Sequence, residues 1–452
     1  MNIQAIDQYI ESNLDASVAE LSRLCAQPSV AAQNLGIEDC AELVAQALKP
    51  RGFSVSIMPT GGSPVVFAER KGGADATLIS YNHYDVQPAE PLELWESPPF
   101  EPTVRHGRLY ARGVADNKGN FIARLHAIDA ILNQADELPC NIKFVVEGEE
   151  EIGSVNLEPF VKAHQELLAG DVCVWEIGGV NHENSPIQML GMRGICYVEL
   201  RVRTANGDVH SGTGGSIFPN AAWRLVWALN SLKGQDEHIR LPGFYNAVIP
   251  PTPREKELLV QLPDMRAHYR EVYGLDGFLK GIDDPLELAI QAVYQPTCTI
   301  CGLTSGYQGE GSKTVLPAEA SAKVDFRLVP DQRPQQVLTQ LREHLDAHGF
   351  SDVEIVFLGG NPGAKTDPDH PAVGIAVRAA EDVYDKPTEI NPMIGGSGPN
   401  FIFQEYLGVP IISNGANDAD SRAHAPNESI SLDLYAKAAK HFARMMLLMR
   451  DY

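Results

Sequence analysis

Apolar residues recur at spacings of three and four near the start of the chain: Ile10, Leu14, Val18, Leu21 and Leu24. That period predicts two amphipathic helices over residues 2–50, with a break at Pro28. Phe53–Met58 and Val65–Ala68 read as strands on either side of the turn Thr60-Gly-Gly-Ser. The short, largely apolar stretches 77–81, 141–146 and 171–175 predict buried strands. Between the first two, Phe121, Leu125, Ile128 and Leu132 line one face of a helix over 119–132. Strands alternating with helices predict an α/β core with a largely parallel sheet. In such sheets ligands gather beyond the carboxyl ends of the strands.

The pattern changes near Gly191-Met-Arg-Gly. Residues 195–204 alternate apolar and polar, as a half-exposed antiparallel strand does. A helix over 220–233 follows. The Pro-bearing stretch 235–300 has weak periodicity and one charged helix candidate at 253–273. Ala320, Ala322, Val324 and Phe326 alternate with Ser321, Lys323, Asp325 and Arg327. Residues 192–328 therefore read as an inserted α+β domain. After Pro330 the first pattern returns, with helices at 334–348, 371–384 and 432–449 and strands at 353–357 and 410–413. The core domain is expected to be discontinuous, 1–191 plus 329–452.

A chain of 452 residues suits two domains, or three. Its net charge of −23 argues against nucleic acid and anionic membrane as partners. No apolar run approaches the roughly 20 residues of a membrane span. The N-terminal stretch has an early acid and no apolar core, unlike a signal peptide, so a cytoplasmic location is expected. Of seven scattered cysteines, most read as reduced core residues. Cys298 and Cys301 form a lone CxxC, best read as two small residues on a strand.

The chemistry-bearing residues stand mostly in short polar stretches after apolar runs or Gly-rich turns. His83-Tyr-Asp85 places two polar side chains on one side of extended backbone. A ligating histidine usually has a carboxylate holding its tautomer, and Asp85 is placed for that. Asp116 lies between Gly113 and Gly119, just before a helix that it could equally cap. Glu149-Glu150-Glu151 ends a buried strand; either solvent or a cation must relieve their repulsion. Glu176 ends the next strand. His424 lies in a polar loop before the last helix, and His210 in a Gly-rich turn of the insert. Imidazoles and carboxylates in this number are the donor set of borderline-hard divalent metals. Each residue alone has an ordinary structural explanation.

Their order along the chain, from about residue 15 to 445, resembles the M20 family of metallopeptidases. The likeness is strongest to its dipeptidase branch, with the carnosinase-like and cysteinylglycine-type enzymes. The long insert and the runs 306–317 and 324–330 carry that preference. The resemblance implies a zinc-peptidase-like catalytic domain, with a mixed, mostly parallel sheet flanked by helices, and an α+β lid that forms a homodimer. It implies two divalent cations, zinc by default and manganese or cobalt otherwise. His83 and Glu176 would bind one ion, Glu151 and His424 the other, and Asp116 both. Asp85 would hold the His83 ring, and the Asp116–Asn117 peptide would be cis. Glu150 would be the general base for an activated water. His210 would reach the tetrahedral intermediate from the partner's lid. Arg327, Ser397, Thr314 and Asn220 would hold the substrate's carboxylate end.

The implied substrate is a dipeptide or small peptide with a free C-terminal carboxylate. One residue departs from the pattern: the dipeptidase branch has Asp where this chain has Glu176. That keeps open an N-acyl-amino-acid deacylase or carboxypeptidase of the same family. A non-catalytic binding protein of the same fold is the remaining alternative, and the complete base and ligand set argues against it.

Overall fold

The computed structural model describes residues Met1–Tyr452. The chain forms two compact units. The first comprises Met1–Leu190, Thr366–Pro392 and Pro399–Tyr452; the second comprises Gly191–Lys365 and Met393–Gly398.

The first unit is built on a six-stranded sheet. Its order is Ser54–Met58, Val65–Arg70, Asn141–Glu147, Thr77–His83, Val172–Trp175, Ile411–Ser413. The last four are mutually parallel, and the first two add an antiparallel edge. The apolar runs read as strands are buried on both faces, as a helix-covered parallel sheet requires. Helices Gly119–Leu132 and Leu432–Leu448 pack into one core with Leu78, Phe144 and Val174. Three helices, not two, precede the sheet: Ile3–Ser12, Leu14–Cys25 and Ile37–Leu48.

Because four strands are parallel, their carboxyl ends lie together. His83, Glu147, Trp175 and Ser413 end them. Buried Arg124 fastens these ends. Its Nη1 donates to Ser80 Oγ at 2.9 Å, Tyr81 O at 2.8 Å and Asn82 Oδ1 at 2.9 Å. Its Nη2 donates to the carbonyls of Trp175 and Asn414. One guanidinium thus ties three strand ends, using the fork of donors that only arginine offers.

The second unit holds a four-stranded antiparallel sheet, ordered Thr299–Ser305, Glu319–Leu328, Gly194–Arg203, Glu354–Asn361. The alternation in 195–204 and 318–328 is realised in this sheet. Helices Ala221–Leu232 and Pro334–Ala347 contribute Leu225, Val337 and Leu341 to its core. The unit therefore extends beyond the expected 192–328. Ile355 and Val356 pair with Leu200 and Glu199, so the strand at 354–361 joins this sheet and not the parallel one. Short apolar strands look alike in sequence whichever sheet takes them. The helix candidate at 253–273 is two helices, Pro253–Gln261 and Arg266–Tyr273, separated at Pro263. A third, Pro285–Tyr294, lies in the stretch of weak periodicity. No helix is long and apolar enough to cross a membrane.

Candidate metal centre

His83 closes its strand fully buried, and Asp85 follows on the same side. The ring's Nδ1 lies 3.0 Å from Asp85 O and 3.4 Å from Asp85 Oδ1. Asp85 does more than orient the ring. Its Oδ1 accepts from Glu150 N at 3.2 Å and its Oδ2 from Glu151 N at 3.0 Å. One buried carboxylate thus ties a histidine to the turn carrying two further acids.

Asp116 does not cap the following helix. Its backbone is non-helical (φ −132°, ψ 89°), its peptide bond to Asn117 is cis, and its carboxylate turns toward two histidines. Oδ1 lies 3.0 Å from His83 Nε2, which is 3.5 Å from Glu176 Oε2. Oδ2 lies 3.1 Å from His424 Nε2, which is 3.2 Å from Glu151 Oε2. The two oxygens of one carboxylate therefore face two separate histidine–acid pairs. His424 sits in left-handed backbone at φ +63°, uncommon for a residue with a side chain.

The loop bearing Asp116 is tightly bracketed. Gly113 has φ +80°, and a Cβ there would meet Val86 Cγ1 at 2.3 Å. A Cβ on Gly119 would meet Val114 O at 2.1 Å. Inside the loop, buried Glu428 accepts from Arg112 Nη1 at 2.7 Å, Gly113 N at 2.9 Å, Ala115 N at 2.8 Å and Asp116 N at 3.0 Å. Removing one partner of a buried pair such as Arg112–Glu428 commonly costs about 3–5 kcal/mol.

The acid triplet divides its work. Glu149 accepts from Ser63 N at 2.9 Å and Asn156 Nδ2 at 2.8 Å, fastening the neighbouring Gly-rich turn. Glu151 faces His424, and Gln87 Nε2 donates to its Oε2 at 2.9 Å. Burial lifts the Glu150 carboxyl to about 7, partly offset by His83 and reinforced by Asp116 and Glu151. Glu176 rises well above the carboxylate range, by burial and then by Glu150. Its backbone carbonyl is fixed by Asn117 Nδ2 at 2.7 Å and Asn120 Nδ2 at 2.8 Å.

The histidines answer to the same crowding. Burial works against a charged His83, yet Glu176, Asp116 and Asp85 hold its pKa well above the usual value. Hydrogen bonds to Asp116 and Glu151 raise His424 to about 10. Asp116 shows the counterpart: burial opposes its charge, but hydrogen bonds from His424 and His83 keep its pKa low.

These residues fit metal ions. His83, Asp116 and Glu151 each offer a ligand atom within 4.8 Å of the others. Glu176 Oε2 is buried with no hydrogen-bond partner, an acceptor waiting for a cation. The set is imidazole and carboxylate without thiolate, which suits zinc, manganese or cobalt.

The remaining expected site residues lie in the second unit. His210 is exposed and its Nδ1 accepts from Gly212 N at 3.0 Å. Thr314 is exposed and precedes Val315, the register partner of His210; its carbonyl accepts from Ser211 N at 3.0 Å. Asn220 Oδ1 caps the helix Ala221–Leu232 through Trp223 N at 3.1 Å, so that acceptor is already engaged. Arg327 Nη1 donates to Ser397 Oγ at 2.9 Å, joining residues 70 apart in sequence. Gln87 and Glu428 escaped the sequence reading, which took Glu149 only as one of three crowded acids. Gln87 has a signal, since it follows Asp85 at the same two-residue spacing; Glu428 has none beyond an acid four residues after His424.

Metal uptake must displace the proton that His424, with its pKa near 10, carries at neutral pH. Titrating metal-free protein with Zn2+ in buffers of different ionisation enthalpy should show heats that change with the buffer. Apparent affinity should climb as pH rises toward that pKa, since fewer protons then compete. Buffer-independent heats would count against these histidines as ligands.

Comparison with known proteins gives the lineage. The model of Peptidase family M20/M25/M40 matches residues 79–448. The crystal structure of "a M20 family metallo-carboxypeptidase Sso-CP2 from Sulfolobus solfataricus" is 34% identical with a TM-score of 0.90, covering 96% of this chain and 99% of that one. The human Beta-Ala-His dipeptidase is 31% identical over 443 residues, 95% of this chain and 85% of that protein. The Cys-Gly metallodipeptidase dug1 of Schizosaccharomyces pombe is 27% identical over 470 residues, 98% of this chain and 97% of that protein. This chain belongs to peptidase family M20/M25/M40.

Proposed function

We propose that this enzyme is a metal-dependent dipeptidase that cleaves the amide bond of dipeptides or small peptides bearing a free C-terminal carboxylate. The observation carrying this is Asp116, whose two oxygens each face a different histidine–acid pair, with Glu150 half-buried on the turn that Asp85 holds. The dipeptidase names of the human and fission-yeast relatives support the substrate class.

His83 and Glu176 would hold one divalent ion, His424 and Glu151 the second, and Asp116 both. When bound, such ions supply Lewis acidity to a substrate carbonyl and bring the pKa of a water toward ~7. Glu150, with its own pKa raised to about 7, takes the proton of the attacking water and later gives it to the leaving amine. Asp85 fixes the tautomer of His83 and, through two backbone N–H groups, the turn bearing Glu150. Arg327 and Ser397 receive the terminal carboxylate, for which a planar guanidinium is suited.

His210 would donate to the oxyanion from a partner subunit. Trp223, Val226 and Trp227 lie exposed on one face of the helix Ala221–Leu232, and Ile300 and Leu303 are exposed on the edge strand Thr299–Ser305. Exposed apolar faces and unpaired edges of this kind are association surfaces. We infer a homodimer formed through the second unit. All seven cysteines are unpaired, which fits a reducing compartment, the cytoplasm. The carboxypeptidase reading has the Sulfolobus solfataricus relative in its favour.

Three measurements test these assignments. Glu150→Gln should retain metal and fold but lose turnover by ~10²–10⁴-fold, the usual worth of a general base; near-normal turnover removes Glu150 from that role. A panel of dipeptides, longer peptides and N-acyl amino acids should give the highest kcat/KM on dipeptides. Superior cleavage of longer peptides at the C-terminal residue would favour the carboxypeptidase, and of N-acyl amino acids the deacylase. Finally, inactive His210→Ala and inactive Glu150→Gln subunits should regain partial activity once exchanged into heterodimers. Persistent inactivity after verified exchange would refute a site shared between subunits.

A further inference from the structure

Arg193 lies between the short strand Gly191–Met192 and the long strand Gly194–Arg203, and it is only 5% exposed. Its Nη1 donates to Ala292 O at 2.8 Å and its Nη2 to Gln295 O at 2.7 Å. Those carbonyls end the helix Pro285–Tyr294, where backbone acceptors lack partners within the helix and the dipole is negative. A longer bond, 3.3 Å, runs from Nη2 to the carbonyl of Arg327. The backbone N–H of Arg193 donates to Gly396 O at 2.9 Å, anchoring the loop that carries Ser397.

Arg327 is held by the same framework. Thr297 N donates to Arg327 O at 3.0 Å, and Arg327 N donates to Thr297 Oγ1 at 3.3 Å. Its side chain donates to Asp325 Oδ2 at 3.1 Å and to Ser397 Oγ at 2.9 Å. The helix end, the Ser397 loop and the strand bearing Arg327 therefore all meet at Arg193.

Charge adds to geometry. Arg193 hydrogen-bonds only carbonyls, and its Nε is buried without a partner. Burial, followed by the charge of Arg327, lowers its pKa to about 10, which still leaves it cationic at neutral pH. Asp325 is the one carboxylate bonded to this pair, so two guanidiniums stand against a single acid. That is a local positive excess in a chain of net charge −23.

We propose that Arg193 is a positioning residue that sets the reach and charge of Arg327, so that selectivity for a free C-terminal carboxylate depends on it. The proposal rests on the assignment of Arg327 to that carboxylate. It is tested with the best dipeptide of the panel and its C-terminal amide, on metal-loaded wild type, Arg193→Gln, Arg193→Lys and Thr297→Val. The wild type should prefer the free acid. Arg193→Gln should raise KM for the acid about tenfold, the scale of one lost hydrogen bond to a charged group, with kcat changed less than about twofold and KM for the amide unmoved. Arg193→Lys, which keeps the charge but reaches fewer carbonyls, should recover part of the loss. Thr297→Val, which removes one acceptor for the Arg327 backbone, should shift the same ratio by a smaller factor; it decides the matter should Arg193→Gln not fold. An unchanged acid-to-amide ratio in the folded variants overturns the role of Arg193. A wild type indifferent to the amide overturns the Arg327 assignment, and this proposal with it.

Discussion

The first unit depends on one electrostatic constraint: too many carboxylates converge on Asp116 for the protein alone to neutralise. Glu150, Glu151 and Glu176 join it around two imidazoles at the end of one sheet. Two like charges about 4 Å apart repel by roughly 4 kcal/mol at the effective dielectric of a protein. The metal-free protein meets this by protonation. His83 and His424 keep protons beyond their usual range, while Glu150 and Glu176 are pushed toward their neutral forms. Divalent cations would relieve the same repulsion without protons, freeing the imidazoles as ligands and leaving Glu150 ionised and able to take a proton.

Such a cluster holds its shape only if the backbone beneath it is rigid, and bonds to groups other than carboxylates largely supply that rigidity. Arg124 ties strand ends through carbonyls, a hydroxyl and an amide, adding no competing carboxylate to the site. Asn117 and Asn120 fix the carbonyl of Glu176. Where charge is used, it is closed off: Glu428 is consumed by Arg112 and three backbone N–H groups, and Asp85 by His83 and two more. The acids facing the histidines are thus set apart from those that only build the loops.

This division explains what was legible in the sequence. His83, Glu151 and Glu176 could be expected near one another because parallel strands deliver their carboxyl ends to one place, whereas Asp116 and His424 were named through the order of motifs that resembles the family. Glu428 and Gln87 were not, since their roles depend on which loop folds over which, and a local pattern carries no such information. The strand at 354–361 was assigned to the parallel core because an apolar run of that length fits either sheet; pairing with Gly194–Arg203 decides it. Asn220 caps its helix through Trp223 N, a role that Asn commonly takes before an apolar helix and one the sequence reading did not assign to it.

Glu176 shows how a departure from a motif is absorbed. With its carbonyl pinned by two asparagines, the backbone is not free to retreat and accommodate the extra methylene. The side chain must take up the length. Its Oε2 comes within 3.5 Å of His83 Nε2 and keeps no hydrogen bond of its own. A shorter Asp on the same backbone would stop about one carbon–carbon bond earlier, ~1.5 Å, opening the space that Glu fills. The difference between the two acids therefore falls on the His83 side of Asp116, while the His424–Glu151 pair faces the other oxygen of that carboxylate. A change of substrate linked to Glu176 would then act on the His83 side of the centre, and not on the hydrogen-bonded pair Arg327 and Ser397 in the second unit.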